Sequence, residues 1–268
     1  MAEAHYARAE LETGLAALAV EPGDTLFCHS NIGYFGRLAG ADSREALCEA
    51  VFDAVMARLG PRGTLVVPTY TYSFPRGQGF DPAATASPMG IFAEWVRAHP
   101  DSLRSRDPSY SVAAIGPGAA ALIEDLPDNS FAPGSVFDRL LRLGAKHVNF
   151  NHPGCTFIHY VERELQVPYR FDKTFPGTLH LDGVARQAKV TIWVHYLSDM
   201  SLAHSPFGFE ALARESGRMV ARPLGRGEIS AITARATFDL IAETLPARPW
   251  FLTKAEALGI GDPVMIPE

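Results

Sequence analysis

The chain has 268 residues, 47% of them hydrophobic, with a formal net charge of -6 and a pI of about 5.9, which supplies a large core and excludes the basic face of a nucleic-acid binder. No apolar run reaches the roughly 20 residues that cross a bilayer, and the N-terminus lacks the apolar stretch of a signal peptide, so the protein is expected in the cytoplasm. Cys28, Cys48 and Cys155 have no tight spacing; they offer neither a disulfide framework nor a zinc motif and read as reduced thiols.

In chain order, residues 5–19 read as a helix with Leu11, Leu15 and Leu18 on one side. Gly23-Asp24 is a turn into a buried strand, Thr25 to His29. Asp42 followed by Glu45 resembles a capping box, and the helix it opens carries Leu47, Val51, Val55 and Leu59 until Gly60-Pro61 stops it. A second strand runs from Thr64 to Tyr70, so the opening suggests parallel α/β layering. Residues 71–88 lack periodicity and are rich in Gly and Pro, as in a long functional or disordered loop. A helix over Met89 to Ala98, a strand over Ser111 to Gly116, a helix opened by Pro133-Gly134 and a strand over His147 to Phe150 follow. Next come a helix over Thr156 to Leu165 and a β-hairpin over 177–197 turning at Asp182-Gly183. The tail reads as helices over Phe207 to Ser216 and Ile229 to Thr244 with a strand between them. The expectation is one α/β or α+β domain spanning 1–268 with an antiparallel hairpin.

Two segments carry candidate chemistry. In DTLFCHSNIGYFG a helix or turn starting at Ser30-Asn31 would present free N–H groups to an anion, or would be an ordinary capped turn. Neither a P-loop nor a dinucleotide fingerprint is present in the right context. In NHPGCTFIHYVE, His159 and Glu162 are three apart on one side of a helix that starts near Thr156. A carboxylate can there orient an imidazole for general-base work, or the two form a surface pair. Cys155 with His159 as a thiol–imidazole pair, and His29, His152, His159 and Glu162 around zinc, use the same residues without a tight motif. Arg97, Arg104 and Arg106, beside Asp107-Pro108, read as a phosphate patch or a solvated loop edge. Tyr70, Tyr72 and Phe74 put aromatic faces on the 71–88 loop, which is expected to lie over an acceptor site.

Taken in order, GDTLFCHSNIG, GTLVVPTYTYSF, SPMGIFAEWVRAHPDSLRSRDPSYSVAAIGPGA and GSVFDRLLRLGAKHVNFNHPGCTFIHYVE resemble successive segments of the aminoglycoside 3-N-acetyltransferase family. The resemblance implies that family's own layered α/β sandwich, not the histone-type acetyltransferase fold. It implies acetyl-CoA as co-substrate and direct transfer to an amino group without an acyl-enzyme. The family's general base falls on His159 and the acid of the same motif on Glu162. His29, Ser30, Asn31, Met89, Gly90, Ser111 and Val112 fall on segments expected to hold the coenzyme, and Thr156, Tyr72, Asp107 and Tyr110 are assigned to the acceptor. No resident metal, nucleic acid or membrane partner is implied, and a monomer or homodimer is expected. The chain departs from the family in reading HSN for the HSS turn, DPSYS before the VAA strand, and VPYRFDKTFPG after the catalytic helix. The expected acceptor is accordingly an aminoglycoside, an amino sugar or its nucleotide conjugate, or a small natural-product amine. Arg170 and Lys173 near His159 would favour a neutral or anionic acceptor, unless they point to solvent.

Overall fold

A computed structural model describes residues 4–266. Helix α1 (Arg8–Ala17) leads into β1 (Thr25–Ser30), a 3-10 turn (Ile32–Phe35), α2 (Arg44–Leu59) and β2 (Thr64–Pro68). After the long loop come α3 (Ile91–Ala98), β3 (Leu103–Arg104), β4 (Val112–Ile115), α4 (Ala119–Ile123), α5 (Val136–Arg142) and β5 (Lys146–Phe150). Then follow α6 (Phe157–Glu164), the hairpin β6 (Arg170–Leu181) and β7 (Val184–His195), and a 3-10 turn (Met200–Leu202). The chain closes with α7 (Pro206–Glu215), β8 (Val220–Leu224), β9 (Gly227–Thr233), α8 (Ala234–Thr244) and α9 (Lys254–Leu258). Among the described residues no helix is long and apolar enough to cross a membrane.

The main sheet has seven strands in the order β3-β4-β2-β1-β5-β9-β8. β1 pairs in parallel with β2 and β5, and every other pairing is antiparallel, so the expected parallel layering holds only at the centre. Side chains alternate across it. Leu26 and Cys28 of β1 pack with α1, α2 and α3 on one face, while Phe27 packs with α5, α6 and α8 on the other. The fold is therefore helices on both faces of a mixed sheet, with the β6–β7 hairpin as a separate two-stranded unit. Open α/β sheets place their sites beyond the carboxyl ends of parallel strands, here Ser30, Pro68 and Phe150.

Three expected boundaries move. α2 is capped by Ser43, whose Oγ accepts from the Ala46 amide at 3.0 Å, not by Asp42 with Glu45. Ile229–Thr233 is strand β9, not the first turns of a helix: the three-residue spacing of Ile229 and Ile232 reads as helical, but pairing with β5 and β8 makes a strand that buries them on opposite faces of the sheet. The hairpin begins at Arg170, since its extra residues pair in full register, Arg170 opposite His195 and Gly177 opposite Ala188.

The 71–88 loop is pinned down. Arg104 donates to the carbonyls of Pro82 and Thr85 and to both oxygens of Thr69, and lies over the Phe80 ring. Arg97 pairs with Glu94 and donates to the Ala83 carbonyl. Phe74 and Phe80 are buried, and Phe80 bridges to Leu179 of the hairpin. Both arginines are thus committed to the loop, in place of the phosphate patch the sequence suggests.

Candidate active site

Helix α6 springs from the loop after β5, so its first turn stands over the end of the central strands. Thr156 occupies the N-cap without a cap hydrogen bond. Its hydroxyl instead lies 3.2 Å from Nε2 of His29, near the end of β1. One helical turn on, His159 Nδ1 is 2.7 Å from Glu162 Oε2. A carboxylate only accepts, so Nδ1 carries the hydrogen and Nε2 keeps its lone pair.

Glu162 is fully buried. Tyr169 donates to its Oε1 at 3.0 Å, and Arg170 Nε lies 2.8 Å from Oε2. Burial pushes the Glu162 carboxyl up, but the Arg170 cation and the His159 bond outweigh it and hold the group down to about 2. Burial, reinforced by the Arg170 charge, lowers the His159 imidazole below its ordinary value against the opposing pull of Glu162. His159 is thus neutral at pH 7 with its orientation fixed from one side. On other sides it meets the Phe131 ring at 6.0 Å and the His204 ring, nearly perpendicular, at 5.1 Å. Burial and the neighbouring His159 press His204 down to about 3.

Tyr169 and His204 are missed by the sequence reading, and Arg170 is misread. Arg170 is buried and paired with Glu162, neither an acceptor-docking cation nor a solvated one, while Lys173 lies over the Phe175 ring at 6.0 Å. The signal available was the YR pair just after the helix; nothing local connects His204 to His159.

The rival chemistries lose their geometry. Burial raises the Cys155 thiol to about 12, so it is no thiolate at neutral pH. Among the described residues the metal-spaced group is His159, Glu162 and His204, not the set with His29 and His152. Its carboxylate already faces Arg170 and Tyr169, so a cation there would meet a guanidinium.

The remaining candidates fall in two places. Ser30 and Gly90 are neighbours: Gly90 has φ 100°, and a Cβ there would stand 3.4 Å from the Ser30 carbonyl. Met89 precedes it, its amide donating to Ser87 Oγ at 3.2 Å. Asn31 is no open helix end, since its N–H donates to Phe150 O and its Nδ2 to Asn151 O. Ser111 and Val112 are fully buried in the sheet, with Ser111 Oγ donating to Thr69 O at 2.7 Å, so their side chains are not presented to a ligand. Tyr72 meets Tyr110 at 5.3 Å, Tyr110 meets Phe131 at 4.8 Å, and Phe131 leads to His159. Asp107 spends Oδ1 on the amides of Ser109 and Tyr110, both at 2.8 Å. It also borders a cleft of about 660 Å³ under the hairpin, which His159 does not line.

The chain is similar to known proteins over most of its length. Residues 27–246 match the model of the family described as aminoglycoside 3-N-acetyltransferase. Aminoglycoside N(3)-acetyltransferase VII of Streptomyces paromomycinus is 27% identical over 230 residues, covering 78% of this chain and 75% of that protein. Aminoglycoside N(3)-acetyltransferase IV of Salmonella sp is 31% identical over 169 residues, 61% of each chain. Among solved structures, aminoglycoside acetyltransferase AAC(3)-Xa superposes with a TM-score of 0.74 at 25% identity, covering 89% of this chain and 92% of that one. A mutant of aminoglycoside acetyltransferase AAC(3)-IVa in complex with a gentamicin superposes at 0.77 and 25% identity, covering 96% and 95%. A coenzyme-bound relative, AAC-IIIb binary with CoASH, shares the fold at 22% identity and 0.75, covering 90% and 97%. The chain belongs to the aminoglycoside 3-N-acetyltransferase family.

Proposed function

We propose that the protein moves the acetyl group of acetyl-CoA directly to an amino group of an aminoglycoside or related amino sugar, in the cytoplasm, with His159 as general base. The enzyme class and the acetyl-CoA co-substrate follow from family membership. The observation that carries the rest is the neutral His159 imidazole, its Nδ1–H held by an ionised, buried Glu162.

An amine at neutral pH is mostly ammonium and cannot attack. His159 Nε2 takes its proton, or that of the tetrahedral adduct, and Glu162 stabilises the imidazolium that results. Arg170 and Tyr169 keep Glu162 ionised and in place. As the C–N bond forms and the C–S bond breaks, the proton on His159 is returned to the departing sulfur. Cys155, the thiol on the turn into this helix, is protonated at neutral pH. That supports direct transfer. The approach of Gly90 to Ser30 supports a coenzyme path along that wall with His29, Asn31 and Met89. The aromatic run Tyr72–Tyr110–Phe131 supports an acceptor lying under the 71–88 loop, beside Thr156 and Asp107.

The test is turnover of acetyl-CoA, read by thiol release, over aminoglycosides and amino-sugar nucleotides. Thiol release must need the acceptor, with no burst in its absence. A burst would mean an acyl-enzyme, and silence on every amine would remove the acceptor class.

A further inference from the structure

We propose that the Tyr70 hydroxyl, together with that of Thr156, receives the negative charge that forms on the thioester oxygen when the amine attacks. This rests on the reading of the protein as an acetyl-CoA-dependent acetyltransferase with His159 as base. Both hydroxyls stand at the carboxyl edge of the central strands: Tyr70 is two residues beyond β2, and Thr156 opens α6 after β5.

Thr156 lies one helical turn before the base. Its carbonyl accepts from the His159 N–H at 3.0 Å. Among residues 155–160 only Thr156 and His159 are not buried, so the two share the side of the helix that is open. The Thr156 hydroxyl caps nothing; it lies 3.2 Å from His29 Nε2. His29 Nδ1 is buried without a partner. A hydrogen on Nδ1 would be a buried donor with no acceptor, whereas on Nε2 it has the Thr156 oxygen. The hydrogen therefore sits on Nε2, and the Thr156 hydroxyl keeps its own hydrogen to donate.

Tyr70 is 2% exposed. The amides of Thr69 and Thr71 on either side of it donate to Ser111 O and Ser109 O at 2.8 and 3.2 Å, and the Tyr110 ring packs against it at 5.0 Å, so the phenol is held in place. Its hydroxyl is buried without a well-formed hydrogen bond, with Thr156 and Cys155 beside it. Burial raises the phenol well above its ordinary range, so it keeps its hydrogen. A buried donor without an acceptor is costly and uncommon, and an oxygen arriving between Tyr70 and Thr156 satisfies it. The start of α6 adds the positive end of its dipole.

In the step itself, the lone pair of the neutral amine forms the C–N bond and the carbonyl π pair moves onto oxygen, where the two hydroxyls hold it. When that pair returns, the C–S bond breaks and the sulfur takes the proton that His159 removed from the adduct. Neither hydroxyl gives up its hydrogen.

Tyr70→Phe tests this by removing one oxygen. It should lower kcat about 10²-fold, the loss typical of one such donor, with the acetyl-CoA KM and the acid limb of the pH–rate profile unchanged. Because the lost group is buried and unsatisfied, the melting temperature should equal or exceed that of the parent. An unchanged kcat, or a melting temperature that falls along with kcat, would overturn the proposal. Thr156→Val should also lose turnover, and Thr156→Ser, which restores a hydroxyl, should recover it; equal rates in the two would remove Thr156 from the pair. Infrared spectroscopy of acetyl-CoA labelled with carbon-13 at the thioester carbonyl needs no acceptor. Binding to the parent should move the carbonyl stretch below its value in free acetyl-CoA, and Tyr70→Phe should bring it back toward that value. The same frequency in parent and variant would reject the role of Tyr70. If no amine is acetylated, the functional reading fails, and the infrared arm still decides the two hydroxyls.

Discussion

His159 lies between a carboxylate that favours its charged form and a cation that opposes it, and their balance sets the pH response. Burial and Arg170 win, so its pKa lies below the usual 6.5. The proposed general-base role requires a neutral His159, so kcat/KM should fall on the acid side only as pH drops below that value. Replacing Arg170 by Gln removes the opposing cation and should move the acid limb to higher pH, which a pH–rate profile reads directly; an unmoved limb would mean that Arg170 does not act on His159. His159→Ala should lower kcat about 10²–10⁴-fold, the range of a positioned base, with acetyl-CoA affinity retained. Calorimetry on the variant checks the second half, since a parallel loss of coenzyme binding would mark a structural role. The sequence made the His159–Glu162 pair legible because three-residue spacing on a helix is a local fact. Tyr169 and Arg170 close on Glu162 only after the chain turns back out of α6.

At the scale of elements, the long loop and the hairpin are held as one unit at a few close contacts. Gly177 of β6 faces the Phe74 ring so closely that a Cβ would stand 2.3 Å from it. Gly177→Ala therefore has no room unless Phe74 leaves its buried position, and it should lower the melting temperature and raise the acceptor KM. A variant with native KM and stability would show that the loop does not lie over the acceptor. Ser43 presents a local case: its cap on α2 should be worth about 1 kcal/mol, seen in the urea midpoint of Ser43→Ala. Loop 71–88 looked irregular in sequence because its order comes from Arg97 and Arg104, which reach it from later elements.

For the whole molecule, buried histidines set the acid limit of stability. His147 lies between Phe27 and Phe157, at 5.8 and 4.6 Å, with neither ring nitrogen hydrogen-bonded, and burial holds it neutral down to about 3. His204 behaves alike. Their folded pKa values lie below the unfolded one, so the unfolded chain binds protons first, and stability present above about pH 6.5 is lost as pH falls toward 3. Glu162, with a folded pKa of about 2, adds a loss over the lower range from its unfolded value near 4.5. Melting temperature should therefore decline steadily below pH 6.5. His147→Phe, which keeps the aromatic packing and cannot be protonated, should match the parent at pH 7 and decline less steeply in acid; an identical acid profile would clear His147 of the effect. The elements from α1 to the hairpin turn, apart from the short β3 and α4, and the His159–Glu162 pair were legible in the sequence itself, because periodicity, caps and turn residues act over a few positions. Tertiary structure alone decided that β9 is a strand, that Arg170 serves Glu162, that Ser111 is buried and that His204 stands against His159. Those outcomes depend on pairings between residues far apart in the chain, and a buried charge or a short strand takes its meaning only from the partner that packing brings to it.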